Sequence, residues 1–392
     1  MSAPATATRL EELVASRTSA GERFFATEAE RIARLCHAMA ERFSDGGRLL
    51  AIGGTPQHRS DVRHVAVEFV HPVIVGKRAL PALGLAPEGG SLAIQTELLA
   101  EPKDIVIAFG VCESTDAAAA LELARSRRCL TIAFEDVVAD WVFEPPTSDP
   151  FVAQELVETL YHVLWELVHV FFEHLDRSSS GGGASSFLYP FLSATGPDVE
   201  AVVADVCGSV LMKADEAARL RERTILESRE EIVAAVAALR SVFAGGGRLF
   251  AFGNGGSATD AMDVVADFRS APQGWAPRPA VDLTEDGAIL TAIANDIGPH
   301  AVFQRQLIAH GRTGDAALAL TTSGGSENIV EGLSEARRSG LVTIAFVGYD
   351  GGRILADRLA DHIVVTPSEH IPRIQEAQAT AYHVLRELIE LP

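Results

Sequence analysis

The pattern of apolar and polar positions predicts short strands that alternate with helices. In the second half of the chain, three short apolar runs have the length and composition of buried strands, and the segments between them repeat apolar residues at helical spacing. Strands that alternate with helices are typical of a parallel sheet covered on both faces. The strand runs are 247–253, 315–322 and 342–348, and the helical segments are 227–247, 257–268, 326–340 and 373–391.

This pattern occurs twice, because three segments of the first half return in the second half in the same order. Between the copies lies DRSSSGGGASS, a serine- and glycine-rich tract that is typical of a flexible linker. We therefore predict two α/β domains, at 1–175 and 188–392, joined by a linker at 176–187. The repeated segments are 46–53 with 246–253, 130–134 with 342–346, and 160–168 with 381–389.

Composition narrows the function classes. The chain has 392 residues, of which 47% are hydrophobic, and a mean hydropathy of +0.16, values that favour a globular protein. Its formal charge of −20 argues against nucleic acid or an anionic membrane as a partner, because phosphate contacts need clustered basic residues. The four cysteines lack the CxxC spacing of a zinc ribbon. No apolar segment reaches membrane-spanning length, so we expect a cytoplasmic protein.

Two loops rich in glycine and hydroxyl groups follow strands and precede helices. They are FGNGGSATD at 252–260 and LTTSGGSEN at 320–328. Glycine lets the backbone approach an anion closely, and the N-terminus of a helix attracts negative charge. Taken singly, each loop is as well explained as a tight turn capped by serine. Together, at the ends of two strands of one repeat, they favour a site for one phosphate group.

The segments GNGGSATDAMDVVADF, TTSGGSEN and RIQEAQATAYHVLREL resemble the signature segments of the sugar isomerase (SIS) domain family, in its phosphoheptose isomerase branch. ANDIG at 294–298 fits the same branch. The resemblance covers 210–392 and, more weakly, 20–174, and it implies two tandem Rossmann-like domains, each a parallel sheet between two layers of helices. It also implies these substrate-binding residues: Asn254, Gly255, Gly256, Ser257, Asp296, Thr321, Thr322, Ser323 and Ser326.

The family's metal-associated residues match four positions of the first copy. His64 and Glu68 are four residues apart on a predicted helix, and Gln154 and His162 are eight apart on the last helix of that copy. The resemblance implies that they bind zinc or another divalent metal. Alternatively, His64 and Glu68 form an ordinary surface pair, and His162 is a core histidine with a backbone partner. Eight helical residues span about 12 Å, so Gln154 and His162 could also serve different sites.

The second copy departs from the family at the first pair. Asp263 and Asp267 stand there, while Gln375 and His383 are retained. Two aspartates one helical turn apart can still bind a cation, but their harder oxygens argue against zinc. For this copy the resemblance implies a catalytic group of Asp267, Gln375 and His383, with Asp267 and His383 moving protons and Gln375 orienting the sugar.

The first copy departs from the family in the loops instead. Pro56 removes a backbone donor from its first loop, and Gln57 stands where the second copy has a serine. Its second loop, FGVCEST, carries Glu113, whose charge would repel a phosphate. We therefore predict that the first copy does not bind phosphate.

The resemblance implies an aldose–ketose isomerase similar to sedoheptulose 7-phosphate isomerase, with a heptose phosphate as the favoured substrate and no organic cofactor. Two alternatives stay open, a phosphosugar sensor without catalysis and an assembly scaffold. The family's tetramers imply a homodimer of tandem chains. In such a dimer the first copy could contribute metal ligands to an active site shared with the second copy, or it could be a structural mate only.

Overall fold

The computed structural model describes residues 3–73, 77–179 and 199–391. The chain forms two compact units: the N-terminal unit is Ala20–Glu216, and the C-terminal unit combines Met1–Ser19 with Ala217–Pro392. Helix α1 (Ala3–Ser44) therefore begins in the C-terminal unit and ends in the N-terminal unit. Helix α6 (Val199–Glu227) is divided in the opposite sense.

The N-terminal unit contains one parallel sheet. Its strands are β1 (Leu49–Gly53), β2 (Ala82–Leu85), β3 (Ile105–Phe109), β4 (Leu130–Ala133) and β5 (Trp141–Val142). They lie in the order β2-β1-β3-β4-β5, and every neighbouring pair is parallel. The helices between and after them are α2 (His58–Val70), α3 (Leu92–Leu99), α4 (Thr115–Ser126) and α5 (Pro150–Ser179).

The C-terminal unit repeats this topology. Its strands are β6 (Leu249–Phe252), β7 (Ala280–Asp282), β8 (Ala316–Thr321), β9 (Val342–Val347) and β10 (His362–Val365). Their order, β10-β9-β8-β6-β7, is that of the first sheet read from the opposite edge, and all pairs are parallel. The helices are α7 (Arg229–Ala244), α8 (Gly256–Arg269), α9 (Gly287–Asp296), α10 (Val302–His310), α11 (Glu327–Arg338), α12 (Gly352–Ala356) and α13 (Ile371–Glu390).

The central strands are buried on both faces, which explains why they read as unbroken apolar runs. Successive side chains of a strand point to opposite faces, so neighbours enter different cores. In β6, Leu249 and Ala251 belong to one apolar core, while Phe250 and Phe252 belong to another. The strands of the N-terminal unit divide between two cores in the same way. Both sheets are therefore the middle layer of a three-layer α/β/α arrangement, as predicted.

In each unit, an aspartate binds the arginine that precedes a central strand. The buried carboxylate of Asp104 accepts the backbone N–H of Arg48 at 2.8 Å and pairs with its guanidinium at 2.7 Å. Asp315 does the same for Arg248, at 2.8 and 3.0 Å. Because these contacts recur at matching places, the repeat extends from the sequence to its hydrogen bonding.

The structure adds strands that the sequence pattern did not predict. Each copy was predicted to have three strands, and each has five, because the sheet-edge strands β2, β5, β7 and β10 were not predicted. Of the predicted linker 176–187, residues 180–187 lie outside the described residues. The predicted domain ranges 1–175 and 188–392 stay a prediction, and the compact units have different bounds. Within the described residues, none of the helices combines the length and the apolar character needed to cross a bilayer.

Candidate functional site

The loops of the C-terminal unit leave neighbouring strands. Strand β6 pairs with β8, so the segments 253–257 and 321–326 start at the same edge of the sheet. Ligands of parallel α/β sheets bind at this carboxyl edge. Gly255 precedes helix α8 with φ +57°, a conformation that favours glycine, and Gly256 begins the helix. Ser257 lies buried in the first helical turn.

The 321–326 segment is folded on itself by its own hydroxyl groups. Thr321 ends strand β8, and its side chain accepts the N–H of Gly324 at 3.3 Å. The hydroxyl groups of Ser323 and Ser326 lie 3.5 Å apart. Ser326 is the N-cap residue of helix α11, and Thr322 is half-buried beside it. Two helix N-termini and several hydroxyl groups thus meet at one edge, an arrangement suited to an anion.

A side-chain pair joins the two loops. Asn254 donates to the carbonyl oxygen of the Asn328 side chain at 2.9 Å, and Asn328 donates back to that of Asn254 at 2.8 Å. The sequence analysis assigned Asn254 to the substrate and overlooked Asn328, although Asn328 lies in the quoted segment TTSGGSEN. Nothing in the local pattern indicated that the two amides would meet.

Asp296 lies at the exposed C-terminal end of helix α9. Its carboxylate accepts a hydrogen bond from the Asn295 side chain at 2.7 Å. Among the described residues, no hydrogen bond connects Asp296 to either loop. Its role in substrate binding therefore stays a prediction.

A buried group of acids and a histidine lies behind the loops on helices α8 and α13. The Nε2 atom of His383 is 3.3 Å from an oxygen of Asp263 and 3.5 Å from an oxygen of Asp267. Tyr382 donates its hydroxyl to Asp263 at 2.7 Å. All four side chains are at least 96% buried, so their interactions are strengthened by the low local dielectric. Gln375 is equally buried on helix α13.

The matching loop of the N-terminal unit already holds an anion, which is its own Glu135. The Glu135 carboxylate accepts the backbone N–H groups of Val111 and Cys112 at 3.1 and 2.5 Å. The hydrogen bond to Glu135 is the main cause that raises the pKa of the Cys112 thiol to about 11. The sequence analysis expected repulsion from Glu113 instead, and the signal it lacked was the fold that brings residue 135 to this loop.

Helices α2 and α5 bring together three of the four predicted metal ligands. The Nε2 atoms of His64 and His162 lie 3.3 Å apart, and Glu68 is 3.9 Å from His64 Nε2. The second nitrogen of His64 lies 3.1 Å from the hydroxyl of Tyr161. Gln154 is half-buried on helix α5, and its place as the fourth ligand stays a prediction.

These three residues fit a divalent metal. Two imidazole ligands of a tetrahedral zinc ion lie about 3.3 Å apart, given zinc–nitrogen bonds of about 2.0–2.1 Å, and this is the separation of His64 and His162. The Glu68 oxygen Oε2 is buried without a hydrogen-bond partner among the described residues, an environment that costs free energy unless a cation or proton neutralises it. Burial, with a smaller contribution from Glu166, raises the pKa of Glu68 to about 8. The donor set, two nitrogens and one carboxylate, suits zinc.

Comparison with known proteins identifies a family for the part of the chain that carries the two loops. The model of the SIS domain matches residues 214–348, which include both loops and helix α8. Phosphoheptose isomerase of Aquifex aeolicus is 40% identical over 165 residues, which are 41% of this chain and 84% of that protein. The chain belongs to the SIS domain family. Phosphoheptose isomerase of Geobacter sulfurreducens is 41% identical over 186 residues, or 45% of this chain and 96% of that protein.

Solved SIS-type structures resemble the chain over nearly its whole length. The C-terminal domain of glucosamine-fructose-6-phosphate aminotransferase from Francisella tularensis has a TM-score of 0.59 at 8% identity, covering 96% of this chain and 93% of that one. A putative phosphosugar isomerase from Silicibacter pomeroyi has a TM-score of 0.56 at 14% identity, covering 97% of each chain. At such identities the likeness concerns the fold, and it includes both units.

Proposed function

We propose that this SIS protein is an aldose–ketose isomerase that binds a phosphorylated sugar, with a heptose phosphate favoured, in the C-terminal unit. The observation that carries the proposal is the meeting of the 253–257 and 321–326 loops at the carboxyl edge of β6 and β8. The likeness to phosphoheptose isomerases supports the choice of substrate class.

The phosphate would bind to the helix N-termini and the hydroxyl groups of these loops. Ser323 is exposed and Ser326 is the N-cap residue of helix α11, so both hydroxyls are placed to donate to a phosphate oxygen. In the N-terminal unit the equivalent backbone N–H groups already hold Glu135. This difference supports one phosphate site per chain.

Asp267 and His383 are the proposed residues for proton transfer. Isomerisation requires removal of a proton from the carbon next to the carbonyl and its return to the neighbouring carbon. An imidazole beside two carboxylates can carry that proton, since the carboxylates stabilise its charged form. Gln375, buried on the same helix as His383, is proposed to orient the sugar.

The proposed metal ligands are His64, Glu68 and His162, with Gln154 as the fourth. A metal bound there would supply a Lewis acid that polarises an oxygen atom bound to it. His64 and His162 would each present Nε2 to it, and Tyr161 would hold the ring of His64 from the other side.

Turnover of a panel of sugar phosphates tests the proposal. Purified protein is incubated with aldose and ketose phosphates, with and without zinc, and the products are identified by NMR. We expect interconversion of an aldose phosphate and its ketose. Ser257→Ala should weaken binding about tenfold or more, as loss of a hydrogen bond to a charged group does, while the matched variant Gln57→Ala should not.

Binding without turnover across the panel would reject the enzyme and favour a phosphosugar sensor. The specific observation that favours this second function is the replacement of the family's histidine and glutamate by Asp263 and Asp267. A chain that binds no sugar phosphate would leave only a scaffold role.

We also propose a homodimer of tandem chains, on the basis of the repeated SIS fold. Light scattering on purified protein tests it, with a mass of twice 41.7 kDa expected. A monomeric mass over the micromolar range would contradict it.

A further inference from the structure

We propose that Asn328 is a positioning residue for the phosphate. Its paired hydrogen bonds with Asn254 fix the distance between the two loops, and this distance determines how well the loops bind the phosphate. This inference rests on the proposed function of these loops. Each amide both donates and accepts, at 2.9 and 2.8 Å, so the pair fixes the orientation of both side chains at once.

The amide pair lies next to the N-termini of helices α8 and α11, so it can fix the distance between them. Asn254 lies two residues before helix α8, which has 14 residues, and Asn328 is the second residue of helix α11, which has 12. An anion bound between these N-termini needs its donors at the correct separation, because hydrogen bonds weaken steeply with poor distance or angle. The amide pair is the side-chain link that the structure shows between the two loops.

The N-terminal unit provides an internal comparison. By the repeat, Gly54 stands at the position of Asn254, and Asp116, the second residue of helix α4, stands at that of Asn328. A Cβ atom on Gly54 would lie 2.3 Å from the Cβ of Ser114, so no side chain fits between these loops. Asp116 instead accepts from the backbone of Leu92 at 2.6 Å.

The amide pair and the phosphate-type loops thus occur in the same unit. In the unit whose loop is filled by Glu135, the loops touch directly, and the residue at the position of Asn328 is a carboxylate that faces helix α3. A neutral amide at position 328 also avoids the negative charge that an aspartate would place beside a phosphate. Spacing and charge both favour anion binding only where the pair exists.

A double-mutant cycle on phosphosugar affinity tests the proposal. Asn254→Ala, Asn328→Ala and the double variant are titrated by calorimetry with a sugar phosphate that the wild-type chain binds, and with the same sugar lacking phosphate. We expect each single variant to lose affinity about tenfold, and the double variant to lose no more than either single one. Asp116→Ala, the matched variant in the other unit, should keep full affinity.

The outcomes separate this inference from the proposed function. Weaker binding of the phosphorylated sugar alone, without additivity, supports positioning by the pair. Unchanged affinity in Asn328→Ala, additive losses, or equal losses for the sugar without phosphate overturn the inference and leave the proposed function standing. A wild-type chain that binds no sugar phosphate overturns both.

Discussion

Glu135 follows the segment 130–134, and Val347 follows the equivalent segment 342–346. The first residue is acidic and the second is apolar, so the neighbouring loops of the two units have different chemical surroundings. The Glu135 carboxylate accepts the N–H groups of the loop at 111–112, where an anionic ligand would otherwise bind. Val347 has no acceptor in its side chain. This difference explains why the loop at 111–112 binds an internal carboxylate, and it supports the proposal that phosphate binds in the other unit.

The reactivity of Cys112 reports on this carboxylate. Cys112 is exposed, but its pKa of about 11 leaves little thiolate at pH 8. Glu135→Gln removes the charged acceptor, so the pKa should fall towards the ordinary value and alkylation by iodoacetamide should become roughly ten to a hundred times faster. Peptide mass spectrometry of timed samples measures the rate, with Cys207 as the internal control. Equal Cys112 rates in both proteins would show that Glu135 does not control this thiol.

Tyr161 provides a second residue-scale prediction. Its hydroxyl lies 3.1 Å from Nδ1 of His64, so it can accept a hydrogen bond from Nδ1–H and leave Nε2 for a metal. We expect Tyr161→Phe to lower zinc affinity about 10- to 100-fold, as the loss of other groups that orient metal ligands does. Competition with a chromophoric chelator measures the affinity. Tyr382→Phe, which removes the corresponding hydroxyl beside Asp263, should leave the affinity of the His64 site unchanged, and an equal loss in both variants would contradict this role of Tyr161.

At the scale of elements, the proposed phosphate-binding residues lie in strand-to-helix connections. Gly324 shows how tightly one connection is packed, because its φ is +63° and a Cβ atom would lie 2.3 Å from the backbone oxygen of Gly351. The neighbouring Gly325 has no such constraint, since the nearest atom to a Cβ there is 3.9 Å away. The shape of the 321–326 loop therefore depends on one glycine and not on the other.

The two glycines form a matched pair of variants. We expect Gly324→Ala to destabilise the protein by about 1–3 kcal/mol and to weaken phosphosugar binding, because the added Cβ atom is strained at this positive φ and clashes with the backbone oxygen of Gly351. Gly325→Ala should change the free energy of unfolding by less than about 0.5 kcal/mol. Urea unfolding and calorimetry measure the two effects. Equal effects of both substitutions would show that the loop is not held by Gly324.

The sequence predicted elements where the signal is local. Central strands such as β8 were predicted because a run of six buried residues, five of them apolar, is typical of a strand covered on both faces. Strand β5 has only two residues, so its pairing with β4 is decided by the fold and not by its own pattern. The edges of both sheets were missed for this physical reason.

In the candidate site, too, residues with a local sequence signal were predicted and residues brought together by the fold were not. The spacing of His64 and Glu68 places them on one helix face, and the repeat pointed to His162. The Asn254–Asn328 pair could not be predicted, since it joins residues 74 apart that only the sheet brings together. Tyr161 carried a weak signal, because a tyrosine precedes the histidine in both copies.

At the scale of the whole molecule, the two units share a fold and differ in their polar groups. One keeps phosphate-type loops with an Asp263, Asp267 and His383 group, and the other keeps a zinc-type donor set with a filled loop. We expect His64→Ala combined with His162→Ala to lose its bound metal, measured by inductively coupled plasma mass spectrometry of the purified protein. Full metal content and full activity in that variant would mean that the N-terminal unit is a structural mate only.

The number of phosphosugar sites per chain tests the central claim most directly. Calorimetric titration of the wild-type protein with a sugar phosphate that it binds should give one site per chain, because within the described residues we assign one phosphate site, at the loops 253–257 and 321–326. Ser323→Ala should weaken that site about tenfold or more, while Cys112→Ala in the other unit should not. Two equivalent sites per chain, or a single site that is lost in Cys112→Ala and kept in Ser323→Ala, would contradict the account.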